Sequence, residues 1–368
     1  MINVVIWAGI SWITIAQQLA ENWEEVLIIE KRNHIWWNCY DFYDENWILV
    51  QKYWPHIFHT DSDEVWNYLS NFTDFTNYQH KVLWYIEGKF VPIPFNLNSL
   101  YKSFPSKQAK SLEKLLYETF GDEKLITIQS IREKSEKNIE LQILANYIYE
   151  KVFLNYTKKQ WGINESKINQ EVLNRVPIVI SRDNSYFPYQ KYQWLPKGWY
   201  TKMFENMLNN KLIKVMLNCN YKDNIKNIKY KKLFITSPID EFFDFKYWKL
   251  WYRKTLFKME TLNIKSFQDV AVVNYPNDYE WTRITEMKKF YPNLDTYNIK
   301  KSIIMKEIPW KWKIECYPIR TAENLNILSK YIKESNKLKN VFFLWRLACY
   351  EYLDMDKVVK NVLDFFKK

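Results

Sequence analysis

The sequence predicts an α/β chain whose first unit is a strand, a helix and a second strand. Three observations predict it. The apolar run Ile2-Asn3-Val4-Val5-Ile6 leads directly into an amphipathic helix that begins near Ile10, the order of a buried strand feeding a packed helix. Between them only Gly9 remains of a glycine-rich turn, with Trp7 and Trp12 standing at its first and third glycine positions. A second apolar run, residues 26–29, ends in Glu30, which lies 21 positions after Gly9. An acid at that spacing can bond a ribose hydroxyl. Taken alone, it serves equally well to end a strand.

Composition sets the next bounds. The chain has 5 glycines and 18 tryptophans in 368 residues, where average usage would give about 26 glycines. At this length two or three domains are expected, and 47% hydrophobic residues supply enough apolar surface to bury. Uninterrupted apolar stretches of spanning length are absent from the sequence. The N-terminus lacks a basic region followed by a small-residue cleavage site, so it is read as a first strand and the protein as cytoplasmic. Cys39, Cys219, Cys316 and Cys349 show no metal-binding spacing and suit free thiols in a reducing compartment. The net charge of +11 comes from lysines spread along the chain. They are read as solvated faces with no nucleic-acid partner, leaving a positive field that would gather an anionic nucleotide.

The remaining elements follow in order. Between about 98 and 180 apolar residues recur at helical spacing, as in Leu141-Gln142-Ile143-Leu144-Ala145-Asn146-Tyr147-Ile148-Tyr149. Residues 233–240 look like a strand returning to the first sheet. From about 246 to 315 alternating runs such as Ala271-Val272-Val273-Asn274-Tyr275 predict antiparallel strands. Residues 341–344 predict another strand before Arg346, and a helix from Met355 to Phe366 closes the chain.

A series of ordered blocks then shows a resemblance that covers nearly the whole chain. Glu30-Lys31-Arg32-Asn33-His34-Ile35-Trp36-Trp37-Asn38 and Lys52-Tyr53-Trp54-Pro55-His56-Ile57-Phe58-His59-Thr60 come first. Pro92-Ile93-Pro94-Phe95-Asn96, Tyr156-Thr157-Lys158-Lys159-Gln160-Trp161-Gly162, Arg175-Val176-Pro177 and Asp183-Asn184-Ser185-Tyr186-Phe187 follow. Thr282-Arg283-Ile284-Thr285-Glu286, Tyr317-Pro318-Ile319 and residues 346–355 complete the set. In this order the blocks resemble the UDP-galactopyranose mutases. The resemblance implies a Rossmann-like FAD-binding domain of the glutathione-reductase kind, with an inserted helical domain and an antiparallel β-sheet domain. The FAD-binding part would take residues 1–80, about 200–245 and 316–368. The helical part would take 98–180, and the sheet part 81–97 with about 181–199 and 246–315.

The chemistry implied by the resemblance is an isomerisation of UDP-galactopyranose to UDP-galactofuranose for cell-surface polysaccharide. N5 of reduced FAD attacks the anomeric carbon, UDP leaves, the adduct opens, and reclosure through another hydroxyl gives the furanose without net redox change. NAD(P)H or another reductant would reduce the flavin, and a homodimer is expected. Arg175 and Arg283 match the diphosphate-binding arginines, where guanidinium forks suit the leaving group. His56 matches the histidine beside the flavin ring and Asp354 a carboxylate of the substrate pocket, whose plain structural role would be a helix N-cap. Tyr156 matches a uracil-stacking position, Trp161 a sugar-side aromatic, and Tyr186, Tyr317 and Tyr352 tyrosines that reach the phosphates. Trp7, Gly9, Ser11, Trp12, Glu30, Lys31, Trp37 and Asn38 match the cofactor segments, together with His56, Arg253 and Arg346. His80 stands where some members carry asparagine.

The departures run one way. Tryptophan replaces the family's glycine at positions 7, 12, 36, 37, 47, 54, 194, 199 and 345, whereas Trp66 and Trp161 fall where the family itself has tryptophan. Drift would scatter over many residue types. UGA is read as tryptophan in some genetic codes and as glycine in others, which accounts for the pattern, and the lysine-, asparagine- and isoleucine-rich composition suits an AT-rich genome. Two other readings stay open at this point. One is an FAD-dependent oxidoreductase of the same superfamily, and the other a non-catalytic protein if indoles occupy the cofactor groove.

Overall fold

The computed structural model describes residues 1–368 except 8, 36, 122, 124, 162–175, 310–313 and 368. The strand β1 (Ile2–Ile6), the helix α1 (Ile10–Glu21) and the strand β2 (Val26–Ile29) form as the apolar runs predict. Both strands pair in parallel, and the backbone N–H of Trp7 donates to Ile29 O at 2.8 Å, tying the turn after β1 to the end of β2. Two later strands extend this sheet on the far side of β1, Tyr230–Ile235 and then Val341–Phe343, while Ile213–Met216 pairs outside β2. All five strands are parallel. Ten of the twelve residues of α1 are buried, because the sheet covers one side and the helices Trp199–Leu208 and Met355–Phe366 pack on others. A helix enclosed this fully reads as apolar nearly all round.

The second large sheet has seven strands. Its order is Ile314–Pro318, Tyr252–Leu262, Ser302–Pro309, Arg283–Glu286, Val272–Asn274, Val82–Ile86 and Lys89–Ile93. The sequence predicts antiparallel pairing, and every neighbour obeys it except Val272–Asn274 with Val82–Ile86, which run parallel. A parallel pair needs a long crossover, and here the intervening chain contains the helical region. Tyr192–Pro196 belongs to neither large sheet and sits antiparallel between Phe58–Thr60 and Phe75–Thr76.

The helical region comprises Leu97–Ser103, Ser106–Phe120, Ile128–Lys134 and Ile139–Tyr147, the last running through a π-helical stretch, Ile148–Leu154, into Asn155–Trp161. Thr127 and Asn138 cap their helices with side-chain oxygens. Asn96 does more. Its Oδ1 accepts from Ser99 N at 3.0 Å while Ser99 Oγ accepts from Asn96 N at 3.1 Å, a reciprocal capping box. Its Nδ2 donates to Asp183 O and Asn184 Oδ1, fixing the segment before Tyr186 against the start of the helical region.

The backbone is unusual at the tryptophans. Among the described residues six of them adopt left-handed conformations, with φ of 82° at Trp7, 61° at Trp23, 58° at Trp47, 59° at Trp199, 88° at Trp248 and 61° at Trp345. Only a few per cent of non-glycine residues do so, and each costs about 1–2 kcal/mol. Four of these, Trp7, Trp47, Trp199 and Trp345, are among the positions where the resemblance implies glycine. Trp36 lies outside the described residues.

Replacing Asn96 by alanine removes the cap and leaves Asp183 O and Asn184 with one donor fewer. The expected loss is about 2–3 kcal/mol of unfolding free energy, measurable by urea denaturation. A loss below about 0.5 kcal/mol would show that this network does not hold the 183–187 segment.

Candidate active site

The seven-stranded sheet forms one wall of a cavity of about 220 Å³. The loop Trp54 to Ile57 follows the strand Leu49–Gln51 and lines one side, and the helix Asn155–Trp161 presents Tyr156, Thr157 and Gln160 from another. The antiparallel sheet contributes Arg253, Asn274, Arg283, Glu307 and Tyr317, and the segment before the last helix contributes Tyr352 to Met355. A smaller cavity of about 90 Å³ adjoins it at the C-terminal end of β1. Trp7, Gly9, Ser11, Trp12, Asn38 and Thr236 line it, and it shares His56, Arg346, Leu353 and Met355 with the larger one.

Arg283 organises the larger cavity. Its Nε donates to Asn274 Oδ1 at 2.9 Å, Nη1 to Glu307 Oε1 at 3.4 Å, and Nη2 to the Tyr156 hydroxyl at 3.3 Å. Strand register explains the first two, since Arg283 stands directly opposite both Asn274 and Glu307. Burial works against its charge, but the Glu307 carboxylate beside it and the surrounding tyrosines hold its pKa above the usual arginine value. Glu307 is itself 4% exposed. Arg253, 2% exposed, lies 5.5 Å from the centre of the Tyr317 ring, and the Gln160 amide oxygen, turned toward it, accepts from both of its terminal nitrogens at 2.6 and 3.2 Å. Arg346 lies over the same ring at 4.6 Å, and Tyr317 stacks on Tyr352 with centroids 5.0 Å apart. Stacked tyrosines thus carry two guanidinium planes.

Two buried histidines of the cavity, His56 and His80, add no charge at neutral pH. Burial and the Arg346 guanidinium, only partly opposed by a backbone contact with Trp54, leave His56 pushed down to about 4. Burial, Arg283 and His59 push His80 down to about 3. The Tyr78 hydroxyl lies 3.0 Å from His80 Nδ1, and His80 O accepts from Tyr186 N at 2.7 Å, so His80 fixes the backbone of a cavity tyrosine. Asp354 occupies the N-cap position of Met355–Phe366, yet its side chain makes no capping bond and the residue lines the cavity.

The sequence-predicted residues are therefore largely brought together. His56, Arg253, Arg283, Arg346, Asp354, Tyr156, Tyr186, Tyr317 and Tyr352 line the larger cavity, and Trp7, Gly9, Ser11, Trp12 and Asn38 the smaller. Glu30 is fully buried at the end of β2, where its Oε1 accepts from Arg32 N at 2.8 Å, and lines neither cavity. Lys31 lies 4.5 Å over the Trp7 ring and pairs with Glu241. Arg175 lies outside the described residues, as do the side chains of Trp37 and Trp161. Sequence reading missed Glu307, Asn274, Gln160 and the role of Lys159. The strand alternation of 302–309 was the only available signal for Glu307, and pairing across sequence separations of 9 and 24 residues leaves none for the partnership with Arg283.

The smaller cavity suits a dinucleotide cofactor in its polar groups but not in its room. Asn38 Oδ1 and His56 Nδ1 are buried without a protein partner, as atoms awaiting a ligand would be. The indoles of Trp7 and Trp12, 4% and 3% exposed, fill the space beside Gly9. Ligand pockets normally measure about 300–1,000 Å³.

A five-stranded parallel sheet and a largely antiparallel sheet that carries Arg253 and Arg283 define a Rossmann-like mixed α/β protein. The comparisons agree: residues 5–72 match the NAD(P)-binding Rossmann-like domain. The fold covers 100% of this chain and 93% of a solved structure of reduced UDP-galactopyranose mutase, with a TM-score of 0.67 at 14% identity. The chain belongs to the UDP-galactopyranose mutase family, whose signature matches residues 151–352. It is 37% identical to UDP-galactopyranose mutase of Mycoplasma genitalium over 97% of this chain and 91% of that protein. It is 32% identical to dTDP-fucopyranose mutase of Escherichia coli, over 98% of this chain and 96% of that one. It is an isomerase by family. Among the described residues no helix is long and apolar enough to cross a membrane, and no cluster of side chains could hold a metal ion.

His80 binds a proton in the unfolded chain below about pH 6.5 but stays neutral when folded until about pH 3. A lowered folded-state value means that its contribution to stability is lost as pH falls through this window. His80→Asn should therefore lose about 2 kcal/mol less stability than the parent between pH 6.5 and 4.5, read by urea unfolding at the two pH values. Equal losses would place His80 in a solvated setting.

Proposed function

We propose that the protein interconverts UDP-galactopyranose and UDP-galactofuranose with reduced FAD as cofactor and no net redox change. The observation that carries this reading is the cluster of Arg253, Arg283 and Arg346 around one cavity, with the buried Glu307 beside Arg283 alone. Such a surplus of guanidinium forks suits a diphosphate, which leaves as an anion and must be kept close for recombination. Reduced flavin would supply the nucleophile for the anomeric carbon. The chain's own side chains bind and orient: Tyr156, held by Arg283, offers a ring to the base, and Tyr186, Tyr317 and Tyr352 offer hydroxyls to the phosphates. The Asp354 carboxylate and the neutral His56 and His80 would face the sugar and the flavin edge. Asn38, Gly9 and Ser11 would hold the cofactor at the end of β1. The same reading divides the chain into a cofactor part, a helical part and a sheet part, with NAD(P)H or another reductant as electron source and a homodimer as the working form.

The test uses two chains, one with the tryptophans and one with glycine at the nine matched positions, each reconstituted with FAD and reduced with dithionite. Furanose formation from UDP-galactopyranose is expected of the glycine chain, with turnover independent of oxygen. Arg283→Ala should lower kcat/KM by at least about a thousandfold, and Arg283→Lys should recover little because an ammonium cannot span Asn274, Glu307 and a phosphate together. Flavin bound without furanose formation, or oxygen-consuming turnover, would overturn the assignment.

A further inference from the structure

We infer that the polypeptide made in the source cell carries glycine at the nine matched positions and also at Trp23 and Trp248. At six of them, Trp7, Trp23, Trp47, Trp199, Trp248 and Trp345, the backbone carries this independently of any resemblance, through a positive φ. Trp23 sits just beyond α1, where Trp23 N donates to Ala20 O at 3.0 Å and Glu24 N to Leu19 O at 3.0 Å. Those two bonds make the helix-ending motif whose left-handed residue is normally glycine. Trp47 closes the hairpin between Asp41–Tyr43 and Leu49–Gln51, with Trp47 N donating to Asp44 O and Asp44 N to Ile48 O, both at 3.0 Å. A left-handed glycine is the ordinary residue at that place in a hairpin loop. Trp248 has the largest positive φ of the set, 88°. The indoles of Trp23, Trp47 and Trp248 are 83%, 71% and 79% exposed, so little packing offsets their backbone strain. Other tryptophans behave as tryptophans should. Trp66 stacks on Tyr192 at 4.3 Å, and Trp84 is 2% exposed against Tyr156, both without positive φ.

The test needs no sugar chemistry. Trp23→Gly, Trp47→Gly and Trp248→Gly should each raise Tm by roughly 1–2 °C, while Trp66→Gly and Trp84→Gly should lower it. Peptide mass spectrometry of protein isolated from its own cell should find glycine at 23, 47 and 248 and tryptophan at 66 and 84. Indole at the first three positions, or exposed-site variants no more stable than the parent, would overturn the inference.

A different observation assigns Lys159 as a positioning residue, and we propose that it clamps the nucleotide-side helix to the sheet; this rests on the function proposed above. Its ammonium donates to Tyr275 O at 2.7 Å, Asn277 O at 2.6 Å and Trp281 O at 3.0 Å. Asn155 Nδ2 adds a bond to Asn277 Oδ1 at 2.9 Å. The loop so gripped joins Val272–Asn274 to Arg283–Glu286, and thus sits between Asn274 and Arg283. One side chain therefore sets the spacing between Tyr156 on the helix and Arg283 on the sheet.

Lys159→Met should speed hydrogen exchange in 155–161 and 274–282 and weaken UDP binding about tenfold, with KM rising more than kcat falls. Lys159→Arg should recover part of both effects, and Asn155→Ala should shift them in the same direction by less. Unchanged exchange and unchanged UDP affinity in Lys159→Met would overturn the clamp. Failure of the parent to bind UDP would instead overturn the proposed function, because exchange reads the clamp without nucleotide.

Discussion

The close approach of α1 to β1 across residues 7–9 is the constraint on which the rest of the structure depends. Trp7 turns left-handed, Gly9 is extended, and α1 begins at once. The bond from Trp7 N to Ile29 O holds this turn to β2, so neither strand can slide without opening the other. The first N–H groups of α1 then face the crevice with no capping side chain, which leaves them for an external acceptor. The smaller cavity lies at this end of the parallel sheet, where open α/β sheets place their ligands.

Charge makes the second constraint. Among the described residues three guanidinium groups line the cavity, one of them, Arg283, beside the buried Glu307 carboxylate, and the buried His56 and His80 stay neutral. Buried cations need acceptors, and Arg283 finds them in Asn274, Glu307 and Tyr156. The planar faces of Tyr317 and Tyr352 support Arg253 and Arg346. The protein can therefore hold its arginines in place before an anion arrives, which lowers the cost of binding one.

Much of this was legible in the sequence, for physical reasons that differ by element. β1, α1 and β2 announce themselves because apolar runs with strand and helix periods are local signals. The mostly antiparallel sheet was legible from alternation, but its one parallel pair was not, because pairing partners 190 residues apart, such as Val82 and Val272, leave no local trace. Arg283 was legible only through its motif; Glu307 and Asn274 gain meaning from strand register, which one sequence does not encode visibly. The π-helical stretch Ile148–Leu154 lies inside a run of ordinary helical pattern, since one inserted residue per turn hardly alters apolar spacing.

The tryptophans tie fold and site to the same chemical detail. At Trp23, Trp47 and Trp248 an indole strains the backbone and touches no cavity, so the cost there is one of stability alone. At Trp7 the strain and the obstruction coincide: φ is 82° and the ring lines the cofactor-side cavity beside Trp12. At Trp54 the backbone is unstrained, yet the ring stands in the larger cavity with Tyr317 at 5.0 Å and His56 at 6.4 Å. Removal of a side chain would relieve the backbone at some of these places and open the site at others. A residue without a side chain satisfies both demands, and no other substitution does.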